Sequence, residues 1–361
     1  MTLAAGISKL KGFGNNNFNK KMNNQQNIDK ENLRQVIIDS PLQFKKGLEI
    51  AKNIKADGNF RFLEISGMGG SSLPANILRI YISSITKNIP KDQKKISIFQ
   101  NRFYSLPHEA YQNCLNFFAS YSGNTEETIE SLMTAVEHKL PSIGFATGGK
   151  LLSICRENNI PCVLLPSGIQ PRFATGYFFA SMYQVLVNSG LLEDHAHQIL
   201  KLADKLKDNA LHLEEKGKML AKKLVGKTPI IYSSTNFKSL AMIWKIKINE
   251  NAKTPAFWNF FPELNHNEMV GYTLPQEKFH ILTLLDKNDH PQNIKRMRVT
   301  AKLLEEKGIK TDIIEMADDD VFNTIFDTLL LGDWVAYYLA LEYGQDPTPV
   351  DMVEDLKKLL V

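Results

Sequence analysis

The sequence predicts an α/β protein made of two units, each a parallel β-sheet in an αβα sandwich. Short apolar runs of strand length alternate with amphipathic stretches of helix length, which is typical of a parallel sheet covered by helices on both faces. A long helical stretch and a charged helix interrupt this alternation, which restarts at TPIIYSS; the second unit begins near residue 195. We therefore divide the chain into an N-terminal arm (1–31), a first unit (32–194) and a second unit (195–361).

The arm and the first unit have distinct compositions. Residues 14–27, GNNNFNKKMNNQQN, are rich in asparagine and nearly devoid of apolar residues, which predicts a flexible arm or surface loop. Helical spacing begins near Asn32. Five strands are then predicted at FRFLEIS, KISIFQ, LNFFASY, SIGFAT and PCVLLP, with helices between several of them.

The long helical stretch GYFFASMYQVLVNSGLL precedes the second unit, whose first helix is a charged one from about Asp194 to Val225. Its predicted strands are TPIIYSS, FHILTLLD and TDIIEMA. Helices are predicted through LAMIWKIKINENAK, NIKRMRVTAKLLEEKG and FDTLLLGDWVAYYLALEYG. The segment FWNFF has four aromatic residues in five, a cluster that either joins the core or forms an interface between subunits.

Composition excludes several classes of function. The net charge is only +4 over 361 residues, and no stripe of Lys and Arg with interleaved aromatics suggests nucleic-acid binding. The three cysteines, Cys114, Cys155 and Cys162, form no C-x-x-C pair and are expected to be buried, reduced thiols. No apolar run reaches membrane-spanning length, and the start lacks the features of a signal peptide. We expect a cytoplasmic protein with no membrane partner.

Two loops at predicted strand ends suit a phosphate group. Strand LNFFASY runs into Ser120, Ser122 and Thr125, whose hydroxyls stand before a helix that begins with glutamates. Strand FRFLEIS runs into GMGGSS, which contains Gly70 and Ser71. Strand ends that lead into helix N-termini bind anions through free N–H groups. The first loop alone could equally be a capping turn, but two such loops favour a single phosphate site.

The glycine-rich loop is not a nucleotide motif. Ser72 stands where G-x-G-x-x-G requires its third glycine, and the G-K-[ST] ending of a P-loop is missing. The corresponding loop of the second unit, YSSTNFKS, has no glycine. One phosphate site per chain is therefore expected, on the first unit.

Three further polar residues stand in positions that suit a site. Arg172 follows a glycine and a proline just past strand PCVLLP, either as a surface ion-pair partner or as a site residue. Glu250 ends an apolar helical pattern, and His266 lies in the polar segment PELNHNE. No H-x-x-x-H or H-E-x-x-H spacing occurs, and one histidine seldom holds zinc, so no metal site is expected.

Six motifs, in order along residues 32–361, resemble the bifunctional phosphoglucose/phosphomannose isomerases of the sugar isomerase (SIS) domain superfamily. They are GMGGSS, SYSGNTEET, QPRFATGY, NENAK, PELNHNE and DPTPVDMVEDLKKLL. The resemblance implies two SIS domains, each with a five-stranded parallel sheet, and a homodimer with the active site at the interface. It implies interconversion of glucose 6-phosphate or mannose 6-phosphate with fructose 6-phosphate, through a cis-enediolate and without a cofactor.

The resemblance also implies roles for single residues. The phosphate would be held by five of them: Gly70, Ser71, Ser120, Ser122 and Thr125. Glu250 would move the proton between C2 and C1, beside Arg172 at the enediolate. His266, reaching the site of the partner subunit, and Lys357 would serve ring opening and proton transfer, although the adjacent Lys358 could take the place of Lys357.

Other functions of SIS proteins remain as alternatives. A sugar-phosphate sensor without catalysis would keep the phosphate loops, but the joint presence of Glu250, His266, Arg172 and Lys357 argues against it. An amidotransferase-type aminosugar synthase needs an N-terminal cysteine nucleophile, and no cysteine precedes Cys114. An arabinose 5-phosphate isomerase is disfavoured because two SIS-like halves fill the chain.

Overall fold

A computed structural model describes residues 28–87, 96–317 and 320–360. The predicted Asn-rich arm lies almost entirely outside the described residues. The described chain contains nine strands, in two separate sheets. They are β1 (Phe62–Gly67), β2 (Ser97–Asn101), β3 (Cys114–Ala119), β4 (Ser142–Ala146), β5 (Cys162–Leu164), β6 (Thr228–Ser234), β7 (Phe257–Phe261), β8 (Phe279–Leu285) and β9 (Lys310–Glu315).

The first sheet has the strand order β2-β1-β3-β4-β5, and every neighbouring pair is parallel. All five strands occur where the apolar runs predict them. The central strand β3 is buried along its whole length, as expected for a strand covered by helices on both faces. Strands β1 and β3 run in register from Phe62 opposite Cys114 to Gly67 opposite Ala119, so their carboxyl ends meet at the same edge.

The second sheet has the order β7-β6-β8-β9, again all parallel. The resemblance implies five strands here, and this expectation is wrong for the described residues, which form four. The sequence also fails to predict β7, because FWNFF places aromatic residues on both faces and lacks the alternation of a half-buried strand. As an edge strand, β7 leaves Phe257 exposed and buries Phe261.

Twelve α-helices connect and cover the strands of the described chain. They are α1 (Leu33–Asp39), α2 (Leu42–Ala51), α3 (Leu73–Ile85), α4 (Glu126–Glu137), α5 (Gly149–Glu157), α6 (Thr175–Asn188), α7 (Ala196–Leu224), α8 (Lys238–Ala252), α9 (Glu268–Gly271), α10 (Pro291–Glu306), α11 (Val321–Glu342) and α12 (Asp351–Leu359). Short 3₁₀ turns, among them Gly69–Ser72, Pro171–Phe173 and Glu263–His266, follow several strands.

The buried apolar residues form three clusters, which define the layers. The largest cluster lies between the two sheets and unites α1–α3, α6–α8 and α11 with one face of each sheet. A second cluster packs α4 and α5 on the outer face of the first sheet. The third packs α10 on the outer face of the second. Each sheet is therefore covered on both faces, and the predicted αβα architecture is confirmed.

Helix α11 is the central helix of the shared core. It is long and apolar enough to cross a membrane, but 83% of its most apolar window is buried inside the protein. Gly217 of α7 allows close approach, since a Cβ there would lie 2.4 Å from the Cβ of Trp334 in α11. Burial of this kind identifies α11 as a core helix.

The prediction that the three cysteines are buried, reduced thiols is confirmed in part. All three are free; Cys114 and Cys155 are buried, whereas Cys162 is half-buried.

Candidate active site

The two predicted phosphate loops lie side by side at the carboxyl edge of the first sheet. Strand β1 ends at Gly67 and continues into the turn Gly69–Ser72, from which α3 begins. Its neighbour β3 ends at Ala119 and continues through a loop into α4. The pairing of β1 with β3 in the parallel sheet thus brings together two segments that are far apart along the chain.

Hydroxyl groups connect the two loops. The Ser71 hydroxyl accepts a hydrogen bond from the Tyr121 N–H at 2.9 Å. The hydroxyls of Ser120 and Thr125 are 2.8 Å apart, and the Thr125 N–H donates to the Ser120 hydroxyl at 3.3 Å. Ser122 lies on the exposed side, where its hydroxyl accepts from the Asn124 N–H at 3.2 Å. These bonds connect the hydroxyls of all four predicted residues to the loop that precedes α4.

Two glycines permit close approach of backbone segments here. A Cβ at Gly70 would lie 2.4 Å from the backbone nitrogen of Arg172. Gly123 has a φ of +72°, and a Cβ there would lie 1.8 Å from the carbonyl oxygen of Gly148. Neither position can therefore carry a side chain without moving backbone. The contact at Gly70 also places the turn that carries Arg172 directly against the phosphate loop.

Arg172 is almost completely buried, with 2% of its side chain exposed, and its guanidinium is bonded on several sides. Nε donates to Oδ1 of Asn251 at 2.7 Å. Nη2 donates to the carbonyl oxygens of Pro347 and Thr348 at 3.0 and 2.8 Å. Nη1 lies 3.3 Å from Oε2 of Glu250. Burial lowers the pKa of Arg172, and the Glu250 carboxylate opposes that shift; an arginine stays charged in this situation.

One face of α8 provides three of the contacts with Arg172. Glu250 and Asn251 reach its guanidinium, and Lys247, one turn earlier, donates from Nζ to its carbonyl oxygen at 2.6 Å. Residues three and four apart share a helix face, which explains why all three converge on one arginine. The Lys247 ammonium also pairs with Asp333 of α11 at 2.6 Å and lies 4.0 Å from the ring centre of Phe173.

A second lysine lies at the end of α8. Lys253 adopts a left-handed backbone conformation, and its Nζ donates to the carbonyl oxygen of Glu250 at 2.5 Å. Burial, reinforced by the nearby charge of Arg172, lowers the pKa of Lys253 to about 8. Lys247, Lys253 and Asn251 are not among the site residues predicted from the sequence. The sequence signal that could have indicated these residues is their spacing from Glu250 along the same helix.

His266 and Lys357 lie apart from this group. His266 is exposed in the turn Glu263–His266, and Lys357 is exposed on α12, paired with Glu354 at 2.7 Å. Lys358 pairs in the same way with Asp355. Within residues 28–87, 96–317 and 320–360, no hydrogen bond or ion pair links His266 or Lys357 to Arg172 or Glu250. A single chain thus brings together Arg172, Glu250 and the phosphate loops.

The segment that carries His266 is anchored through its neighbour Glu268. The Glu268 carboxylate accepts hydrogen bonds from the Tyr232 hydroxyl and the Asn259 amide, and from the Tyr272 hydroxyl at 3.4 Å. These donors come from β6, β7 and the end of α9. The position of the His266 turn on the second sheet is therefore fixed by buried polar contacts.

The acidic and histidine residues around the site do not form a metal centre. In the described ranges, no group of three or more His, Cys, Asp or Glu residues is arranged to hold a metal ion.

Comparison with known proteins identifies relatives over most of the chain. Residues 213–360 match the model of the bacterial phospho-glucose isomerase C-terminal SIS domain. The chain is 36% identical to a bifunctional phosphoglucose/phosphomannose isomerase of Caldicellulosiruptor bescii, over 89% of this chain and 96% of that protein. It is 31% identical to the protein of the same name from Aquifex aeolicus, over 86% and 93% of the two chains.

The fold also has solved relatives. A hypothetical protein from Thermus thermophilus superposes with a TM-score of 0.68 at 13% identity, over 90% of this chain and 88% of that one. At this identity the likeness shows the fold alone.

Proposed function

Because the chain belongs to the bifunctional phosphoglucose/phosphomannose isomerase family, and is thus a sugar-phosphate isomerase, we propose a specific site and course for its reaction. Glucose 6-phosphate or mannose 6-phosphate is interconverted with fructose 6-phosphate at the carboxyl edge of the first sheet. The reaction proceeds through a cis-enediolate, without a metal or cofactor. The observation that carries this proposal is the ion pair between the guanidinium of Arg172 and Glu250, together with the close packing of the Arg172 backbone against Gly70.

The phosphate is held by the loops at the ends of β1 and β3. Ser71, Ser120, Ser122 and Thr125 offer hydroxyls, and the first N–H groups of the 12-residue helix α4 add donors and the positive end of its dipole. The phosphate then fixes the sugar so that its C1–C2 end extends toward Arg172.

Glu250 is the base that moves the proton between C2 and C1. The side chain of Glu250 is 31% exposed, so its carboxylate is accessible to substrate while Arg172 orients it. When the proton leaves C2, negative charge develops on the oxygens at C1 and C2. The buried guanidinium of Arg172 stabilises this charge at no cost of reorganisation. Glucose 6-phosphate and mannose 6-phosphate lose their difference at C2 in the same planar enediolate, so Glu250 can serve both epimers if the pocket accepts both positions of O2.

His266 and Lys357 are assigned to ring opening in a site shared between two copies of the chain. Support comes from their exposure and from α12, whose Met352, Leu356 and Leu359 are 88%, 56% and 85% exposed. An amphipathic helix with its apolar side in water is stabilised when a partner covers it. A homodimer with two-fold symmetry would supply His266 from one chain to the Glu250 of the other. The site of action proposed for this dimer is the cytoplasm.

A sugar-phosphate sensor without catalysis is the other candidate. Such a protein needs the phosphate loops but has no use for a carboxylate paired with a buried guanidinium. The contact between Arg172 and Glu250 therefore favours the enzyme.

A coupled assay with each aldose phosphate tests the proposal. The purified protein should convert both glucose 6-phosphate and mannose 6-phosphate to fructose 6-phosphate, at rates unchanged after treatment with EDTA. Conversion of neither sugar, with fructose 6-phosphate still bound, would favour the sensor. Activity lost in EDTA and restored by zinc would contradict a metal-independent reaction.

A further inference from the structure

Asn251 makes the shorter of the two α8 contacts with the guanidinium of Arg172, and it is completely buried. Its Oδ1 accepts the hydrogen bond from Nε of Arg172 at 2.7 Å. Its Nδ2 has no hydrogen-bond partner among the described residues. A buried amide that leaves one donor unpaired is costly for stability. The bond to Arg172 is therefore the only polar interaction that this side chain makes in the described chain.

The contacts of Arg172 leave one edge of its guanidinium for the reaction. Nε is bonded to Asn251, and Nη2 is bonded to two carbonyl oxygens of the loop before α12. Nη1 lies beside Glu250, with Oε1 of Gln170 at 3.5 Å. Because the guanidinium is planar and rigid, fixing Nε and Nη2 also fixes the direction of the N–H bonds of Nη1.

We infer that Asn251 is a positioning residue, which turns the Nη1 edge of Arg172 toward the base and the developing enediolate. This inference rests on the proposed function. It also explains why an amide occupies the position. A carboxylate at residue 251 would also accept from Nε, but it would add a second negative charge beside a guanidinium that already faces Glu250. The neutral amide accepts the hydrogen bond and leaves the positive charge available to the enediolate.

The test compares kcat and KM for fructose 6-phosphate in three variants. Asn251→Leu preserves the size of the side chain but removes the acceptor. It should lower kcat about 10- to 100-fold, the effect of one hydrogen bond to a charged group. KM should stay within about twofold, because the phosphate loops keep their contacts. Asn251→Asp should lower kcat as well, since its charge neutralises the guanidinium.

Asn116→Leu is the matched control. Asn116 is also completely buried, and its amide donates to the carbonyl oxygens of Ala110 and Pro141, at 3.1 and 3.2 Å. It lies in the amino-terminal half of β3, away from Arg172. This variant should lower the melting temperature and leave kcat within twofold. An equal fall in kcat for Asn116→Leu would mean that loss of any buried amide slows the enzyme, and would overturn the inference.

A double-mutant cycle separates positioning from packing. A lysine at position 172 has no Nε–H for Asn251 to hold, so Asn251→Leu should have little further effect on kcat in the Arg172→Lys background. An additive effect would show that Asn251 acts independently of Arg172 and would overturn the inference. If Asn251→Leu does not fold, Asn251→Ala removes the same acceptor without placing a branched apolar side chain beside the guanidinium, and it carries the same expectations.

The two levels of the proposal can fail separately. If Arg172→Lys lowers kcat and Asn251→Leu does not, the inference about Asn251 is wrong while the proposed reaction stands. If Arg172→Lys itself leaves kcat unchanged, the role of Arg172 in the proposed function is wrong, and the inference fails with it.

Discussion

Glu64 is buried in the middle of β1, three residues before the loop GMGGSS begins at Gly67, and its replacement by glutamine should change how stability depends on pH. Its side chain is fully buried, and Oε1 accepts a hydrogen bond from the Ser66 hydroxyl at 2.7 Å. Its other oxygen has no hydrogen-bond partner among the described residues. Burial raises the pKa of Glu64 from 4.5 to about 8, with Ser66 opposing the shift. Glu64 is therefore protonated in the folded protein at neutral pH.

The raised pKa makes folding depend on pH in a defined direction. The unfolded chain releases this proton near pH 4.5, and the folded protein retains it up to about pH 8. The contribution of Glu64 to stability is thus fully present below pH 4.5 and is lost as the pH rises through 8. One pH unit corresponds to about 1.4 kcal/mol. Between about pH 5 and 8 the loss is on the order of 4 kcal/mol.

Urea denaturation of Glu64→Gln and the wild type at several pH values between 5 and 8 measures this effect. Glutamine accepts the same hydrogen bond from Ser66 but carries no proton to lose. The variant should gain about 1.4 kcal/mol in free energy of unfolding, relative to the wild type, for each pH unit. Glu130→Gln, at an exposed position of α4, serves as the control. Parallel curves for Glu64→Gln and the wild type would refute the argument that Glu64 folds in its neutral form.

Two further predictions concern the phosphate loop and the shared site. Thr125→Ala removes one hydrogen bond to a charged group, about 1.5–3 kcal/mol, so fructose 6-phosphate should bind at least about tenfold more weakly by calorimetry; unchanged affinity would remove this loop from the site. Glu250→Gln and His266→Ala should each be nearly inactive alone, since loss of a general base typically costs about 10²–10⁴ in rate. Mixing the two should regenerate about one intact site per heterodimer, whereas mixed dimers without activity would show that His266 acts within its own chain.

The first sheet could be predicted from sequence because each of its strands is a short apolar run bounded by turn residues. In a parallel sheet covered on both faces, local composition and burial agree, and β3 is buried throughout. The edge strand β7 could not be predicted in this way. Its residues Phe257 and Phe261 differ completely in burial, although both are phenylalanine. Only pairing with β6 defines this segment as a strand.

The candidate site shows the same distinction between local and distant information. Ser120 and Thr125 stand close to each other in sequence, so their loop could be recognised from a few residues. The contact of Arg172 with Asn251 joins residues 79 positions apart. In the sequence alone, a lysine and an asparagine near the end of a helix are typical of a solvent-exposed helix face. Burial of Lys247 against Asp333 becomes evident only when α8 packs on α11.

The geometry of the site depends on the packing between the two units as much as on the loops themselves. The phosphate loops belong to the first sheet, whereas Glu250 belongs to α8, which precedes β7 of the second. Arg172 connects them, because its backbone abuts Gly70 and its guanidinium is held by α8 and by the loop at Pro347 and Thr348. Lys247 reinforces this connection, since a charged group buried at this depth is stable only with its partners in place. The distance between Glu250 and the proposed phosphate loops is therefore set by the shared core, where a change of packing would move these two parts of the proposed site relative to each other.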